Sequence, residues 1–371
     1  MGGTLLSAAL IVRDEERFLE GCLRSLKDHV DDIVVVDTGS TDRSRDIARD
    51  LGARVLGHVW AGDFAAARNA SIDGARGEWI LYIDADERVV EFDRRVVDTL
   101  LASPRHVCQT VLFRPAVGYT RYREYRLFRK RPDLRFRGVI HESLVPDLES
   151  LCAGRRWRIG DSPVAIDHLG YEGDLRRKHL RNLPLLEARL DQDPQHVYCW
   201  DQLGLTRRGL GDEPGAEQAW RRAIAIVGAR RTARPLDSLP YLHLADLLLA
   251  QKRDAGAALG EGCRRFPENH SLTWLRARQL LEAGDCGAAM PLFARLAAID
   301  GASLGAGPIA FDASIFGPQA HAALGLCAFR LGRLADSCAH YARAAALAPN
   351  DLELRAKHAV AAMRARAPTA A

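Results

Sequence analysis

The chain has 371 residues, of which 47% are hydrophobic and 27% are charged, and its formal net charge is +4. This length allows two domains with a core each, and the balance of apolar and charged residues is that of an ordinary soluble protein. A net charge this small argues against wholesale nucleic-acid binding, but it permits a local basic patch.

The sequence has no feature that predicts export or membrane insertion. Residues 5–12 are apolar, but no basic segment precedes them and the charged residues 13–16 follow at once. We find no uncharged apolar run long enough to span a bilayer. The eight cysteines are scattered without a C-x-x-C pair, which is typical of reduced, buried thiols. We therefore expect a cytoplasmic protein without a transmembrane segment.

The first ninety residues alternate between predicted strands and predicted helices. Strands are predicted over residues 5–12, 32–37, 54–56 and 78–83. Helices are predicted from the apolar spacing at residues 19–26, 47–51 and 64–75. This alternation predicts an α/β domain with a doubly wound, mostly parallel sheet.

Two of the predicted strands end in acids. Asp37 ends a β-branched run, and Asp84-Ala-Asp86 ends a longer apolar run. Because the ligand crevice of an open α/β sheet forms at the carboxyl ends of its strands, both acids should face one crevice. Two carboxylates there form an oxygen-rich site suited to Mg²⁺ or Mn²⁺. Taken alone, the Asp-x-Asp pattern also fits a helix cap or a solvated turn.

Two phosphate-binding motifs are absent from the sequence. No G-x-G-x-x-G follows the first strand, and no G-x-x-x-x-G-K-[ST] occurs anywhere. A sugar-phosphate nucleotidyltransferase would share the α/β sheet, but it needs a Gly-rich, basic phosphate loop after the first strand. Residues 8–16 contain no such loop.

Four segments, in order, resemble the motifs of family 2 glycosyltransferases with the GT-A fold. They are Ala9-Leu-Ile-Val-Arg-Asp-Glu-Glu16, Val34-Val-Val-Asp-Thr-Gly-Ser-Thr-Asp42, Asp63-Phe-Ala-Ala-Ala-Arg-Asn69 and Gly77-Glu-Trp-Ile-Leu-Tyr-Ile-Asp-Ala-Asp-Glu87. Four motifs in the correct order are far more specific than any one of them. The resemblance implies a metal-dependent, inverting transfer of a sugar from a nucleotide donor. Among nucleotide donors, it favours a uridine diphosphate sugar.

The resemblance also implies roles for individual positions. Asp37 matches the acid that holds the uracil ring, since a carboxylate can accept the imide N–H of uracil. Asp84 matches the acid near the ribose and the metal, and Asp86 matches the metal ligand. The usual Asn of the first motif is Asp14 here, which leaves its role open. The positions expected to contact the donor are Val12, Asp14, Glu15, Asp37, Ser40, Asp63, Arg68, Asp84 and Ala85.

Residues 107–146 are expected to form the acceptor side, with a strand over 107–113. Residues 121–137 interleave eight basic residues with four aromatic ones. This pattern can indicate nucleic acid, but one short stretch on a nearly neutral chain is weak evidence. Contacts to a diphosphate or an anionic acceptor, or a solvated face, explain it better.

The segment Phe136-Arg-Gly-Val-Ile-His-Glu142 resembles the F-x-G-x-x-H-E pattern of one branch of this family, which carries a tetratricopeptide-like tail. Glu142 is then the candidate general base, because inverting transfer needs one carboxylate near the acceptor nucleophile. A structural ion pair is the alternative role. His141 and His168 are further candidates for the metal shell, and Asp86 with His168 is the predicted metal set for Mn²⁺ or Mg²⁺.

From residue 174 onward the sequence has helical spacing and no convincing strand. Gly204 precedes Trp220 by sixteen residues, and Gly325 precedes Tyr341 by the same interval, as in tetratricopeptide repeats. We expect domains over residues 1–173 and 174–371. Stacked helix pairs present a concave face, which could bind a peptide, protein or glycan acceptor, form a homodimer surface, or only brace the fold.

The leading hypothesis is therefore a glycosyltransferase that uses a nucleotide sugar and transfers to a hydroxyl or thiol. The alternative is a repeat scaffold whose nucleotide-sugar-binding domain is not catalytic. Intact acids at positions 37, 84 and 86 favour the enzyme.

Overall fold

The computed structural model describes residues 5–154, 156–169, 175–305 and 307–366. The chain forms two compact units: the first comprises Met1–Val117, Arg121–Pro194 and Gly305–Pro308, and the second comprises the remaining residues. The predicted domain boundary, between residues 173 and 174, lies outside the described residues. The helix that follows it belongs to the first unit.

The first unit is an α/β domain of eight strands and six helices in its described part. The strands are β1 (Leu6–Val12), β2 (Asp32–Asp37), β3 (Arg54–Gly57), β4 (Trp79–Tyr82), β5 (Glu87–Glu91), β6 (His106–Arg114), β7 (Tyr122–Arg129) and β8 (Arg158–His168). The helices are α1 (Glu16–Leu26), α2 (Ser44–Asp50), α3 (Phe64–Gly74), α4 (Arg94–Leu101), α5 (Val145–Ala153) and α6 (Leu175–Gln192).

The strands form one mixed sheet in the order β3-β2-β1-β4-β7-β6-β8-β5. The half β3-β2-β1-β4 is parallel, as predicted. Strand β7 then runs antiparallel to both β4 and β6, and β5 is antiparallel to β8. The prediction of a doubly wound α/β sheet is confirmed, but the sheet is more evenly mixed than expected.

Strand β1 lies at the centre of the parallel half and is buried along almost its whole length. Its register places Val12 beside Asp37 on β2, and Ala9 beside Tyr82 on β4. The residues that follow Tyr82 therefore reach the same edge of the sheet as Asp37. Helix α1 covers the sheet with a face of apolar residues at helical spacing, including Leu19 and Leu23.

The second unit consists of helices. They are α7 (Val197–Gly209), α8 (Glu213–Ala229), α9 (Leu239–Ala250), α10 (Gly256–Arg265), α11 (His270–Glu282), α12 (Cys286–Ala297), α13 (Pro318–Arg330), α14 (Leu334–Leu347) and α15 (Leu352–Arg366). Short 3-10 turns lie between these helices at Pro235–Ser238, Gly301–Ser303 and Ala313–Phe316.

The predicted repeat spacing corresponds to a packing contact in the second unit. A Cβ on Gly204 in α7 would lie 2.3 Å from Nε1 of Trp220 in α8, and a Cβ on Gly325 in α13 would lie 2.9 Å from the ring of Tyr341 in α14. In both helix pairs the aromatic ring therefore occupies the space that a side chain on the glycine would need. The expectation of tetratricopeptide-like helix pairs is confirmed.

Candidate active site

The turn after β2 holds Asp37 as an ordered, buried carboxylate. Backbone N–H groups of Gly39 and Ser40 donate to it, and Nε of Arg45 lies 2.8 Å from its Oδ2. Burial acts to raise the pKa of Asp37, but the hydrogen bonds from Ser40 and Gly39 and the charge of Arg45 hold it below its ordinary value. The predicted base-binding acid is therefore ionised and fixed in position.

Asp14 joins the loop after β1 to the turn after β2. Its backbone has φ of 55°, a left-handed conformation that Asn and Asp adopt more readily than most residues. Its N–H donates to Oγ of Ser40, and its Oδ1 accepts from the N–H and hydroxyl of Thr41. Asp14 thus fills a conformational position that Asn could also fill, which accounts for the departure from the usual motif.

Glu15 follows Asp14 and is half-buried. Burial raises the pKa of Glu15 to about 7, and the negative charges of Asp86 and Asp84 act in the same direction. These charges show that the loop after β1 faces the acids after β4. The positive charge of Arg181 opposes this upward shift in the pKa of Glu15.

Arg68 connects the first acid of that segment to the candidate base. Its Nη2 donates to Oδ1 of Asp84 at 2.5 Å, and its Nε donates to Oε1 of Glu142 at 3.1 Å. The guanidinium also lies over the ring of Tyr82, 5.0 Å from the centroid. Its Nη1 is buried and has no hydrogen-bond partner in the described part of the chain. The sequence placed Arg68 near the base or diphosphate; the structure places it between two carboxylates.

Helix α3 positions the whole segment that carries Glu142. Asn69 donates to the carbonyl of Phe136 and accepts from its N–H, both at 3.0 Å. The N–H of Phe64 donates to the carbonyl of Val139 at 2.9 Å. The segment of residues 63–69 therefore binds the segment of residues 136–142. The ion pair between Arg68 and Glu142 belongs to the same contact.

Asp86 and His168, the predicted metal set, lie together. Oδ2 of Asp86 is 3.1 Å from Nε2 of His168, and Nδ1 of His168 lies 3.2 Å from the carbonyl of Pro115. Because a carbonyl only accepts, Nδ1 carries the proton and Nε2 faces the carboxylate. Burial lowers the pKa of His168, but the hydrogen bond and charge of Asp86 outweigh it, and the net shift is upward.

This pair fits a divalent cation that shares its coordination with a phosphate. Two ligands of an octahedral Mg²⁺ at 2.0–2.1 Å are about 2.9–3.0 Å apart, close to the 3.1 Å observed. Among the described residues, no group of three or more His, Cys, Asp or Glu side chains is arranged to hold a metal. Mg²⁺ is commonly bound through one or two carboxylates plus substrate phosphates, and in this pair Asp86 supplies one carboxylate while His168 supplies an imidazole.

The sequence analysis missed a buried ion pair beneath the site. Glu87 and Arg126 are almost fully buried, and Glu87 also accepts the N–H of Asp84 at 2.8 Å. Burial raises the pKa of Glu87 to about 7, against the opposing charge of Arg126. Glu87 was visible as the acid after Asp86, and Arg126 as part of the basic stretch, but nothing in the sequence joined them.

The other residues predicted for the site differ in their burial and in their contacts. Val12 and Ala85 are buried, and the carbonyl of Val12 accepts the N–H of Thr38. Asp63 caps α3 by accepting the N–H of Ala66, which is a structural role. His141 has φ of 50°, a left-handed backbone conformation.

Asp147 and Asp167 are the carboxylates to test next if Glu142 is not the base, and both are paired with arginine residues. Asp147 accepts from the N–H of Arg135 and from Nε of Arg137. Asp167 is paired with Arg114. Both acids therefore take part in ion pairs of the first unit, as Glu142 does with Arg68.

The basic residues of the 121–137 stretch are held by acids and carbonyl oxygens of the first unit. The pairs are Arg121 with Glu91, Arg123 with the carbonyl of Ser162, Arg126 with Glu87 and Glu124, Arg129 with the carbonyls of His106 and Ser103, Lys130 with those of Asp73 and Ala75, Arg131 with Asp133, Arg135 with Asp73, and Arg137 with Asp147. These contacts explain the stretch without a ligand.

Comparison with known proteins finds a family match in each of the two units. Residues 7–156 match the model of glycosyl transferase family 2, and residues 318–351 match the tetratricopeptide repeat. The first unit thus contains a segment that matches a family 2 glycosyltransferase domain, and part of the second unit matches a tetratricopeptide repeat. No helix in the described ranges combines the length and apolarity needed to cross a bilayer.

Several individual proteins are similar to the chain. A TPR repeat-containing protein of Synechococcus elongatus is 36% identical over 263 residues, which are 68% of this chain and 64% of that protein. The SPbeta prophage-derived glycosyltransferase SunS of Bacillus subtilis is 27% identical over 200 residues, 52% of this chain and 46% of SunS. The chain thus spans about half to two thirds of the length of these relatives. Residues 1–349 of S. aureus TarS, solved with UDP, superpose with a TM-score of 0.38 at 15% identity, over 70% of this chain and 91% of that one.

Proposed function

We propose that the protein is a metal-dependent, inverting glycosyltransferase that moves a sugar from a uridine diphosphate donor to an acceptor hydroxyl or thiol. One observation carries the proposal: Arg68 bridges Asp84, at the carboxyl end of β4, and Glu142, on the segment held by α3. A single guanidinium thereby links the acid expected near the donor to the carboxylate expected near the acceptor.

The donor is proposed to lie along the carboxyl edge of the parallel strands. Asp37 and Asp84 follow strands on either side of β1, so two strand spacings, about 10 Å, separate them. They can therefore contact different parts of one nucleotide. Asp37 is ionised and fixed, and such a carboxylate can accept the imide N–H of uracil.

Asp86 and His168 are proposed to hold Mn²⁺ or Mg²⁺ together with the donor diphosphate. When bound, the ion would offset the charge on the departing diphosphate. The carbonyl of Pro115 orients the His168 ring through Nδ1, which would leave Nε2 available to a bound ion. The buried Nη1 of Arg68 has no hydrogen-bond partner among the described residues.

Glu142 is proposed to remove the proton from the acceptor. Its side chain is mostly buried, with 13% exposed, and Arg68 orients it from one side. A carboxylate that is fixed in this way can meet the acceptor without searching among rotamers. Since only one base is required for inversion, no second carboxylate has to face the acceptor.

The acceptor is proposed to be a peptide, protein or glycan. The support is the second unit, whose helix pairs are of the tetratricopeptide type, a type that commonly binds peptide segments. Transfer measured against peptide and glycan libraries, with the intact chain, would separate these classes.

The test of the donor site is a thermal-shift comparison of nucleotides. UDP with Mn²⁺ should raise the melting temperature by mass action, and GDP should raise it much less. The Asp37→Ala variant should lose the response, whereas Asp46→Ala, an exposed acid of α2, should keep it. Equal stabilisation by the two nucleotides would overturn the uridine assignment. Retained UDP binding without transfer to any acceptor would favour the non-catalytic scaffold instead.

A further inference from the structure

Two histidines of the second unit face each other across neighbouring helices. His321 lies in α13 and His340 in α14, the helix pair that matches the tetratricopeptide repeat. Their Nδ1 atoms are 3.4 Å apart, and their rings stack with centroids 5.6 Å apart and an angle of 30° between planes. Neither residue belongs to the site described above, and the repeat motif explains neither.

The distance between the two nitrogens matches one edge of a metal coordination sphere. A tetrahedral ion that binds imidazole at 2.0–2.1 Å places two ligand nitrogens about 3.3–3.4 Å apart. Each Nδ1 already points toward its counterpart, as the hydrogen-bond geometry between them requires. An ion beside the line that joins them would thus meet both lone pairs after small adjustments.

The electrostatic surroundings keep both rings in the form that binds metal. Burial lowers the pKa of His321, and His340 and Arg343 act in the same direction. Burial also lowers the pKa of His340, with Arg333 assisting and Asp336 opposing. Only neutral imidazole is a ligand, so less proton competition occurs at neutral pH than for an exposed histidine.

Both rings are only partly buried, so solvent ligands can complete the coordination sphere. Asp336 lies one helical turn before His340 and is paired with Arg333 at 2.8 Å. On releasing Arg333, its carboxylate would be the nearest acidic group on the same face of α14. The site therefore has two fixed protein ligands and open positions.

We propose that His321 and His340 form a binding site for a divalent transition-metal ion of the Zn²⁺, Ni²⁺ and Cu²⁺ class, which joins α13 to α14. Imidazole ligands select these ions over Mg²⁺ and Mn²⁺, which prefer oxygen. The site has two imidazole ligands, whereas the Asp86–His168 pair combines one imidazole with one carboxylate. It links two helices of one repeat, so metal occupancy would stiffen that repeat.

The test uses Ni²⁺, the intact chain without a histidine tag, and calorimetric titration at neutral pH. The parent should bind Ni²⁺, and both His321→Ala and His340→Ala should weaken the binding by roughly tenfold or more, because each removes one of two chelating ligands. His358→Ala, in the adjacent helix α15, is the matched control and should bind as the parent does. Ni²⁺ should raise the melting temperature of the parent and of the control only.

Glutamine variants at both positions guard against misfolding, since the amide keeps polarity and bulk but is a poor ligand for Ni²⁺. Variants with the metal-free melting temperature of the parent and reduced Ni²⁺ affinity would support the site. The proposal is overturned if the parent shows no binding of Ni²⁺ in the titration. Unchanged affinity in the position 321 and 340 variants would overturn it equally.

Discussion

Arg126 forms a two-pronged ion pair with Glu87, in which Nη1 and Nη2 each lie 3.0 Å from a carboxylate oxygen and both side chains are almost fully buried. Glu87 in turn receives the N–H of Asp84. The backbone of Asp84, at the end of β4, is therefore hydrogen-bonded to a buried ion pair. The pair supports the site without lying on its surface.

Removing one partner of this pair should strongly destabilise the first unit. Arg126→Ala leaves Glu87 buried without its counter-charge, and the expected loss in unfolding free energy is about 3–5 kcal/mol. Arg24→Ala, which removes an exposed pair with Glu20, should cost well under about 1 kcal/mol. Urea denaturation measures both. Similar costs for the two variants would contradict the buried pairing.

Glu142→Gln separates a general base from a structural partner of Arg68. The amide keeps the shape and still accepts a hydrogen bond, so donor binding should be nearly unchanged. Turnover should fall by about 10² to 10⁴, because only proton removal is lost. Glu149→Gln, in the neighbouring helix α5, should turn over as the parent does. A loss of less than a few-fold at position 142 would exclude Glu142 as the base.

Asp86→Ala and His168→Ala should affect the metal-dependent part of donor binding. Each removes one of two adjacent ligands, so UDP affinity in Mn²⁺ should fall, while the smaller affinity that remains in excess chelator should not. Turnover should drop by roughly 10²-fold, the scale expected when one contact to developing charge is lost. Titrations of UDP with Mn²⁺ and with chelator, on parent and variants, measure the difference. Equal losses in both conditions would point to misfolding.

The stability contribution of Asp32 should depend on pH in a stated direction. Arg54 donates to Asp32 through two nitrogens, and Ser7 and the N–H of Arg76 also donate to it. Burial acts to raise the pKa of Asp32, but these hydrogen bonds lower it below its ordinary value. Its ionised form therefore stabilises the fold above the unfolded pKa, and this stabilisation is lost as the pH falls through the lower, folded pKa.

Asp32→Asn should accordingly be less stable than the parent at neutral pH, by about 1–3 kcal/mol, the scale of charge-assisted hydrogen bonds. The difference should stay constant down to about pH 5 and shrink below about pH 4. Denaturation series across this range measure it. A difference that is independent of pH would show that packing, and not charge, is what the substitution changes.

Substitution of a glycine of the repeat motif by alanine should change stability in the opposite direction from the same substitution at another helical glycine. Gly204→Ala places a methyl group against the indole of Trp220 and should cost about 1–3 kcal/mol through overpacking. Gly228→Ala, in α8, meets open space and should be neutral or stabilising by up to about 1 kcal/mol, because Ala has the higher helix propensity. Melting temperatures of the two variants should move in opposite directions.

The parts of the fold that follow from local patterns could be predicted from the sequence. Strands β1, β2 and β4 are continuous apolar runs, and the acids that end them mark the carboxyl edge because a parallel sheet brings such ends together. Strands β7 and β8 were missed for a physical reason. β7 buries Arg126 through ion pairs, and β8 contains a glycine, a proline and two aspartates, so neither shows an apolar period.

The contacts that organise the site could not be predicted because they join distant parts of the chain. Arg68 and Glu142 are 74 residues apart, and Glu87 and Arg126 are 39 apart. A local sequence pattern indicates secondary-structure propensity and the period of the apolar residues. It does not indicate which buried charged residues form pairs. Asp63 shows the converse, since a residue within a functional motif serves to cap a helix.

The two hydrogen bonds between Asn69 and Phe136 limit how the loop of residues 136–142 can be replaced by protein engineering. Asn69 binds backbone atoms of the loop that carries Glu142, so the loop can change its side chains while its main-chain course stays constant. A loop graft from a homologous enzyme, made to alter acceptor choice, should succeed when it keeps this spacing between Phe136 and Glu142. A loop of different length would have to be transplanted together with the helix that corresponds to α3, because Asn69 of α3 holds the present loop.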